Sequence, residues 1–242
     1  MTDPRPTAPV PLRTGRRLAL ALAREEMMQE YHRWETDPAT VVGFGARWPV
    51  PWDVFRARFR SSHTSDHYQL FELITAEGAV PVGTASLSVD QAVNSAEFTL
   101  VIAPEHRGRG YATEATALTL DWAFGIASLS AVWLEVLAPH TAAVNAYLKA
   151  GFRTAGRLRS AALWQGRRVD KLLLDCVPAD LDPPPPLAPR PAPHSATPPH
   201  PERKPAGSEE VIDMSCPDIN CRKGGCTTGP ESGRPADTAK GR

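Results

Sequence analysis

The segment Ala103-Pro-Glu-His-Arg-Gly-Arg-Gly-Tyr-Ala-Thr-Glu-Ala115 constrains this chain more than any other. An apolar run, Phe98 to Ile102, precedes it and reads as a strand; a helical pattern from about Ala112 to Ile126 comes after it. Two glycines and two arginines therefore fall between a strand and a helix N-terminus. Unpaired N–H groups and the positive end of the helix dipole favour an anion there. Gly108 and Gly110 let the main chain approach a ligand closely, and Arg107 and Arg109 add positive charge. A fold that suits this segment is a sheet protein with a phosphate-binding strand–loop–helix unit.

The flanking elements fit such a sheet. Leu18–Leu22 opens a first strand, although Ala and Leu also favour helix. Ala23–Trp34 reads as a helix with acids in its first turn, ended by Asp37-Pro38. Residues 41–51 read as loop and Trp52–Arg60 as a second helix. Tyr68–Ile74, Val80–Val89 and Ala96–Ile102 form a meander that leads into the phosphate loop. After the long helix come a buried strand, Val132–Leu137, and a helix, Thr141–Ala150, with Gly151 placed for a left-handed C-cap. Phe152–Arg159 and Val169–Cys176 read as a hairpin around Gln165-Gly166. The order implies an α+β (mixed α/β) protein.

Composition separates this domain from the C-terminal quarter of the chain. Residues 183–205 hold 11 prolines in 23 positions, which favours an extended, solvated spacer. The expected organisation is a disordered leader at 1–13, a folded domain at 14–178, a Pro-rich linker at 179–210 and a disordered tail at 211–242. The tail carries Cys216, Cys221 and Cys226, whose spacing is incomplete for a tetrahedral zinc site. Lys+Arg and Asp+Glu both total 27, so overall charge makes no case for nucleic acid or a membrane surface. No apolar run approaches the ~18 residues of a spanning helix. With a lone domain cysteine, Cys176, the chain reads as cytoplasmic.

The spacing Arg107-x-x-Gly110-x-Ala112 resembles the pyrophosphate-binding motif of the GNAT superfamily of acetyl-CoA-dependent N-acetyltransferases. The wider string PEHRGRGYATEA looks most like the branch of ribosomal-protein alanine and spermidine acetyltransferases. The resemblance covers roughly residues 14–178. It implies a twisted, mostly antiparallel sheet of about seven strands with about four helices. Two central parallel strands splay apart, and the pantetheine arm of the co-substrate lies between them. It also implies acetyl-CoA as co-substrate, no metal, an amine acceptor (a small molecule or a protein N-terminus), and a homodimer as one assembly to consider.

The same resemblance implies the site residues. Main-chain amides of Arg107, Gly108, Arg109, Gly110, Tyr111, Ala112 and Thr113 are expected to hold the diphosphate, with Arg109 as the charge contact. Val101 and Ile102 are expected to hydrogen-bond the pantetheine through main-chain groups. Asn145 to Phe152, NAYLKAGF, resembles the family's Y-x-x-x-G-F element, which makes Tyr147 a general acid; its plain alternative is an aromatic packed on the sheet. Glu97, on the strand before the loop, is the candidate base or else a surface carboxylate, with Glu135 the second candidate. Glu114 suits the helix N-terminus structurally. The branch usually carries Asn and Ser where this chain has His140 and Ala143. His140 can replace a hydrogen bond to the co-substrate arm; Ala143 cannot replace a hydroxyl. Trp48, Trp52, His63 and His67 are candidates for an acceptor pocket.

The leading expectation is acetyl transfer to a primary amine on a protein N-terminus, a polyamine or a small molecule. A non-catalytic acyl-CoA sensor is the alternative, favoured by the missing Asn and Ser. Nucleic-acid binding through Arg153, Arg157, Arg159, Arg167 and Arg168 finds no support in net charge or motif.

Overall fold

A computed structural model describes residues 8–62 and 64–181. His63, most of the Pro-rich linker and the three tail cysteines lie outside the described residues. Among the described residues, eight strands form one sheet: β1 (Pro11–Thr14), β2 (Leu18–Leu22), β3 (Tyr68–Thr75), β4 (Pro81–Asp90), β5 (Ser95–Ile102), β6 (Ala131–Leu137), β7 (Arg153–Trp164) and β8 (Arg167–Cys176). The helices are α1 (Met28–Thr36), α2 (Pro38–Gly43), α3 (Trp52–Ser62), α4 (Tyr111–Gly125) and α5 (Thr141–Lys149). Strand order is β1-β2-β3-β4-β5-β6-β8-β7. This is the mixed, mostly antiparallel sheet expected, with one more strand and one more helix.

The extra strand is β1, which places part of the expected leader in the sheet. It pairs antiparallel with β2 at the sheet edge, where a first-position proline is tolerated because no neighbour needs its missing N–H. Four residues are too few to show a periodicity. The extra helix is α2, which starts at Pro38 and runs into the first residues of the 41–51 region read as loop. Asp37-Pro38 does end α1, but it also starts a helix: the Asp37 carboxylate accepts from Thr40 N–H at 3.0 Å, and Pro38 takes the first turn. At the other end a short turn, Pro178–Asp180, runs past the expected domain boundary at 178, and Leu181 packs against the core.

The sheet is filled on both faces. Alternate residues of the central strands pack with Leu118, Leu120 and Phe124 of α4. On the other face, Tyr31 and Trp34 of α1 and Phe55 and Phe59 of α3 pack with Val101. Glu72 is fully buried on β3, and Arg24 reaches both of its carboxylate oxygens, at 2.9 and 3.1 Å. Two parallel donors answer both oxygens, so the buried charge is matched.

Among the described residues, the only parallel neighbours are β5 and β6, paired at Ser95↔Ala131, Ala96↔Val132 and Glu97↔Trp133 and no further. Beyond that point each strand stays with its outer neighbour. β4 holds β5 as far as Ile102, and β8 holds β6 as far as Leu137. The two strands therefore part between residues that remain fully extended. Gly83 on β4 allows an unusually close approach to β5: a Cβ there would lie 2.2 Å from the Val101 carbonyl oxygen. Gly83→Ala is expected to destabilise the fold by about 1–3 kcal/mol, since backbone must move to admit the methyl. A urea unfolding midpoint equal to wild type would contradict this packing.

Candidate active site

The loop after β5 is built from one turn and two left-handed glycines. Pro104–His106 makes a single 3-10 turn, and Arg107 N–H donates to the Pro104 carbonyl at 3.4 Å. Gly108 and Gly110 then take φ values of 73° and 74°, which L side chains rarely adopt. Gly110 is the N-cap of α4. The amides of Gly108, Arg109 and Gly110 have no acceptor among the described residues, and the first turn of α4 adds those of Tyr111 to Thr113. The free run thus begins at Gly108, one residue later than the sequence suggested.

The arginines of this loop are engaged by protein groups. Arg107 pairs with Asp37 at 2.9 Å, donates to Thr40 Oγ1, and donates to the Ile102 carbonyl at 3.3 Å. Burial opposes the Asp37 charge, but Thr40 N–H and the Arg107 guanidinium outweigh it and hold the carboxyl below its usual range. Arg109, expected to be the charge contact, donates to the Glu105 carbonyl at 3.2 Å and does not line the adjacent cleft. Glu114 is structural in its contacts. Arg17 N–H, Leu18 N–H and the Arg17 guanidinium reach it at 2.6, 3.2 and 2.9 Å. Burial again works against the charge, and these donors hold the carboxyl below its ordinary value. Sequence reasoning passed over Arg17, whose bond to the Arg109 carbonyl spans 92 residues; no local pattern announces such a contact.

A cleft of about 940 Å³ runs from this loop into the gap between β5 and β6. Glu97, Val101, Ile102, Arg107, Gly108, Gly110, Tyr111, Ala112, Thr113, His140 and Tyr147 all line it. Tyr147 stands on α5 between Phe98 and Phe152, with ring centroids 6.1 and 6.0 Å away. Loss of water around the phenol pushes its pKa up to about 12. Its hydroxyl has no hydrogen-bond partner among the described residues. Glu97 is exposed on the cleft wall and likewise has none. Glu135, the second candidate base, is ion-paired with Lys171 at 2.7 Å.

His140 begins α5 without capping it through its side chain, and its ring lies 5.6 Å from Trp164 at the β7–β8 turn. Burial, and then the positive charge of Arg107, lower its pKa below 6.5, so the ring is neutral at pH 7. Ala143 packs against the core. The expected acceptor-pocket residues do not gather here. Trp52 packs on His32 and Phe55, Trp48 is 81% exposed, and His67 does not line the cleft. The far wall is formed instead by α2 with Phe44 and by Trp164, which the sequence did not single out.

Comparison with known proteins adds the family. A family profile described as "Acetyltransferase (GNAT) domain" matches residues 17–153, more than half of the chain. The chain belongs to the GNAT acetyltransferase family. The range holds the parted strands, the phosphate loop and Tyr147 of this GNAT domain. A spermidine N(1)-acetyltransferase of Vibrio cholerae is 38% identical over 76 residues, covering 31% of this chain and 44% of that protein. One from Escherichia coli K12 is 28% identical over 96 residues, covering 40% and 52%. The chain thus spans about half the length of the curated relatives it matches. A crystal structure of spermidine N-acetyltransferase from Vibrio cholerae, in complex with CoA and spermine, superposes with a TM-score of 0.63. It is 22% identical, with coverage of 67% of this chain and 96% of that one, and shares the GNAT fold.

The electrostatics of His140 can be measured directly. Its ring is expected to titrate below 6.5 by NMR, and Arg107→Met should move the midpoint upward by removing a like charge. A wild-type midpoint above 6.5 would contradict the burial and the charge together.

Proposed function

We propose that this GNAT-family chain is an enzyme that moves an acetyl group from acetyl-CoA to a primary amine by direct attack in a ternary complex. The observation that carries this reading is the row of unpaired amides at Gly108, Arg109 and Gly110, set at the mouth of a cleft whose wall includes Tyr147. Such amides at a helix N-terminus fit a diphosphate. The gap between β5 and β6 leaves the inner edge of β5 beside Val101 and Ile102 open to a pantetheine arm, although the Ile102 carbonyl already accepts from Arg107. When bound, acetyl-CoA supplies the thioester carbonyl that an amine attacks and the sulfur that leaves.

The chain's own residues then have distinct tasks. Glu97 takes a proton from the incoming ammonium, directly or through water. It is the cleft carboxylate without a protein partner among the described residues, whereas Glu135 is neutralised by Lys171. Tyr147 keeps a proton on its hydroxyl and donates it toward the departing sulfur. A phenol of pKa about 12 is a weak acid. The same apolar surroundings also disfavour a bare anion on any group beside it, so donor and acceptor shift together. The neutral ring of His140 offers a hydrogen bond at the position where the branch it resembles is expected to carry an asparagine amide. Both curated relatives carry the name spermidine N(1)-acetyltransferase, so polyamines lead the acceptor panel, with other small amines and peptide N-termini after them.

A non-catalytic acyl-CoA sensor is the second reading, supported by Ala143 where a hydroxyl is usual. Thiol release from acetyl-CoA across the amine panel separates the two: binding without release for every acceptor favours the sensor. For the enzyme, Tyr147→Phe should lower kcat about a hundredfold while leaving CoA affinity unchanged. An unaltered turnover would remove Tyr147 from the reaction. Because the phenol stays protonated, the pH–rate profile should show no loss of this acid below about pH 10.

A further inference from the structure

We infer that Arg17 is the positioning residue of the phosphate loop: it grips the carbonyls of Arg109 and Gly110 from behind and so aims the amides of Gly110 and Tyr111 at the ligand. This rests on the reading that the loop holds the diphosphate of acetyl-CoA. Nη1 of Arg17 donates to the Arg109 carbonyl at 2.8 Å, and Nη2 donates to the Gly110 carbonyl at 3.1 Å. In a planar trans peptide the C=O and the next N–H point in opposite directions. Holding these two oxygens therefore fixes the direction of the Gly110 and Tyr111 N–H groups, at the N-cap and first position of α4.

The clamp matters because Gly110 has no side chain to restrain it. Its left-handed φ of 74° sits on a backbone with unusual freedom, and donors left to rotate lose binding to the ordering they require. Arg17 is itself held. Its Nε donates to Glu114 Oε2 at 2.9 Å, its own main-chain N–H donates to Glu114 Oε1 at 2.6 Å, and its guanidinium lies 5.2 Å from the centre of the Tyr111 ring. All three side-chain nitrogens thus meet protein oxygens, and the contacts the structure gives Arg17 are with the loop and Glu114. A planar fork is required, since one ammonium cannot span two carbonyls and a carboxylate with this geometry. Arg17 is reached from the β1–β2 turn, which gives the N-terminal edge of the sheet a task at the far end of β5.

The test compares donors with and without the diphosphate. Steady-state rates with acetyl-CoA and with S-acetylpantetheine are measured for wild type, Arg17→Met and Arg17→Lys, alongside calorimetric affinity for CoA and thermal unfolding. Both variants should raise KM for acetyl-CoA about tenfold with kcat nearly unchanged, as expected for the loss of charge-assisted hydrogen bonds. The preference for acetyl-CoA over S-acetylpantetheine should fall by the same factor. Equal losses on the two donors, or an unchanged KM for acetyl-CoA, would overturn the inference. So would loss of cooperative unfolding in Arg17→Lys, which would make the arginine a fold residue first. Wild-type protein with no affinity for CoA would instead remove the acetyl-CoA reading itself, and with it the ligand this clamp serves.

Discussion

Two parallel strands held apart by their outer partners are the constraint on which this site depends. β5 and β6 share three paired positions, and then β4 and β8 carry them in different directions. Paired backbone groups lose nothing on the outer sides, while the inner edges are left with donors and acceptors facing a gap. Buried unpaired backbone is costly, so such a gap persists only where water or a ligand can answer those groups. The cleft of about 940 Å³ occupies that place.

The phosphate loop and α5 make the gap directional. At one end, left-handed glycines turn the chain so that successive amides remain free at the start of α4. On the cleft wall, half-buried Tyr147 is flanked by Phe98 and Phe152, an apolar setting that raises the pKa of its phenol. An anionic group is therefore favoured at the mouth, and a neutral, proton-bearing group within. The arginines nearest the loop do not break this pattern. Arg107 and Arg109 are tied to protein oxygens, so the free loop amides add oriented dipoles to the positive charge of Arg107 and Lys149 on the cleft lining.

Long-range contacts supply the rigidity that local sequence cannot. Arg17 reaches the loop from the β1–β2 turn, 92 residues earlier in the chain, and Asp37 reaches Arg107 from the start of α2. Each contact joins residues that neither periodicity nor spacing would connect. The same limit explains the short elements that escaped detection. Four residues of β1 and six of α2 carry too little repetition, although Asp37-Pro38 held a start signal beside the stop signal it also gave.

What the sequence determined alone is the grammar of the central unit: an apolar strand, a turn that needs glycine, a helix start, and an aromatic ahead of Gly151-Phe152. Those features are local, because left-handed φ, unpaired helix amides and hydrophobic period are set within a few residues. Tertiary structure decided where the charges go. It engaged Arg107 with Asp37 and Glu135 with Lys171, and left Glu97 on the cleft wall. It also built the far wall from Phe44 and Trp164 instead of Trp48 and Trp52. A side chain's partner depends on which strands become neighbours, and that is fixed only when the whole sheet closes around its core.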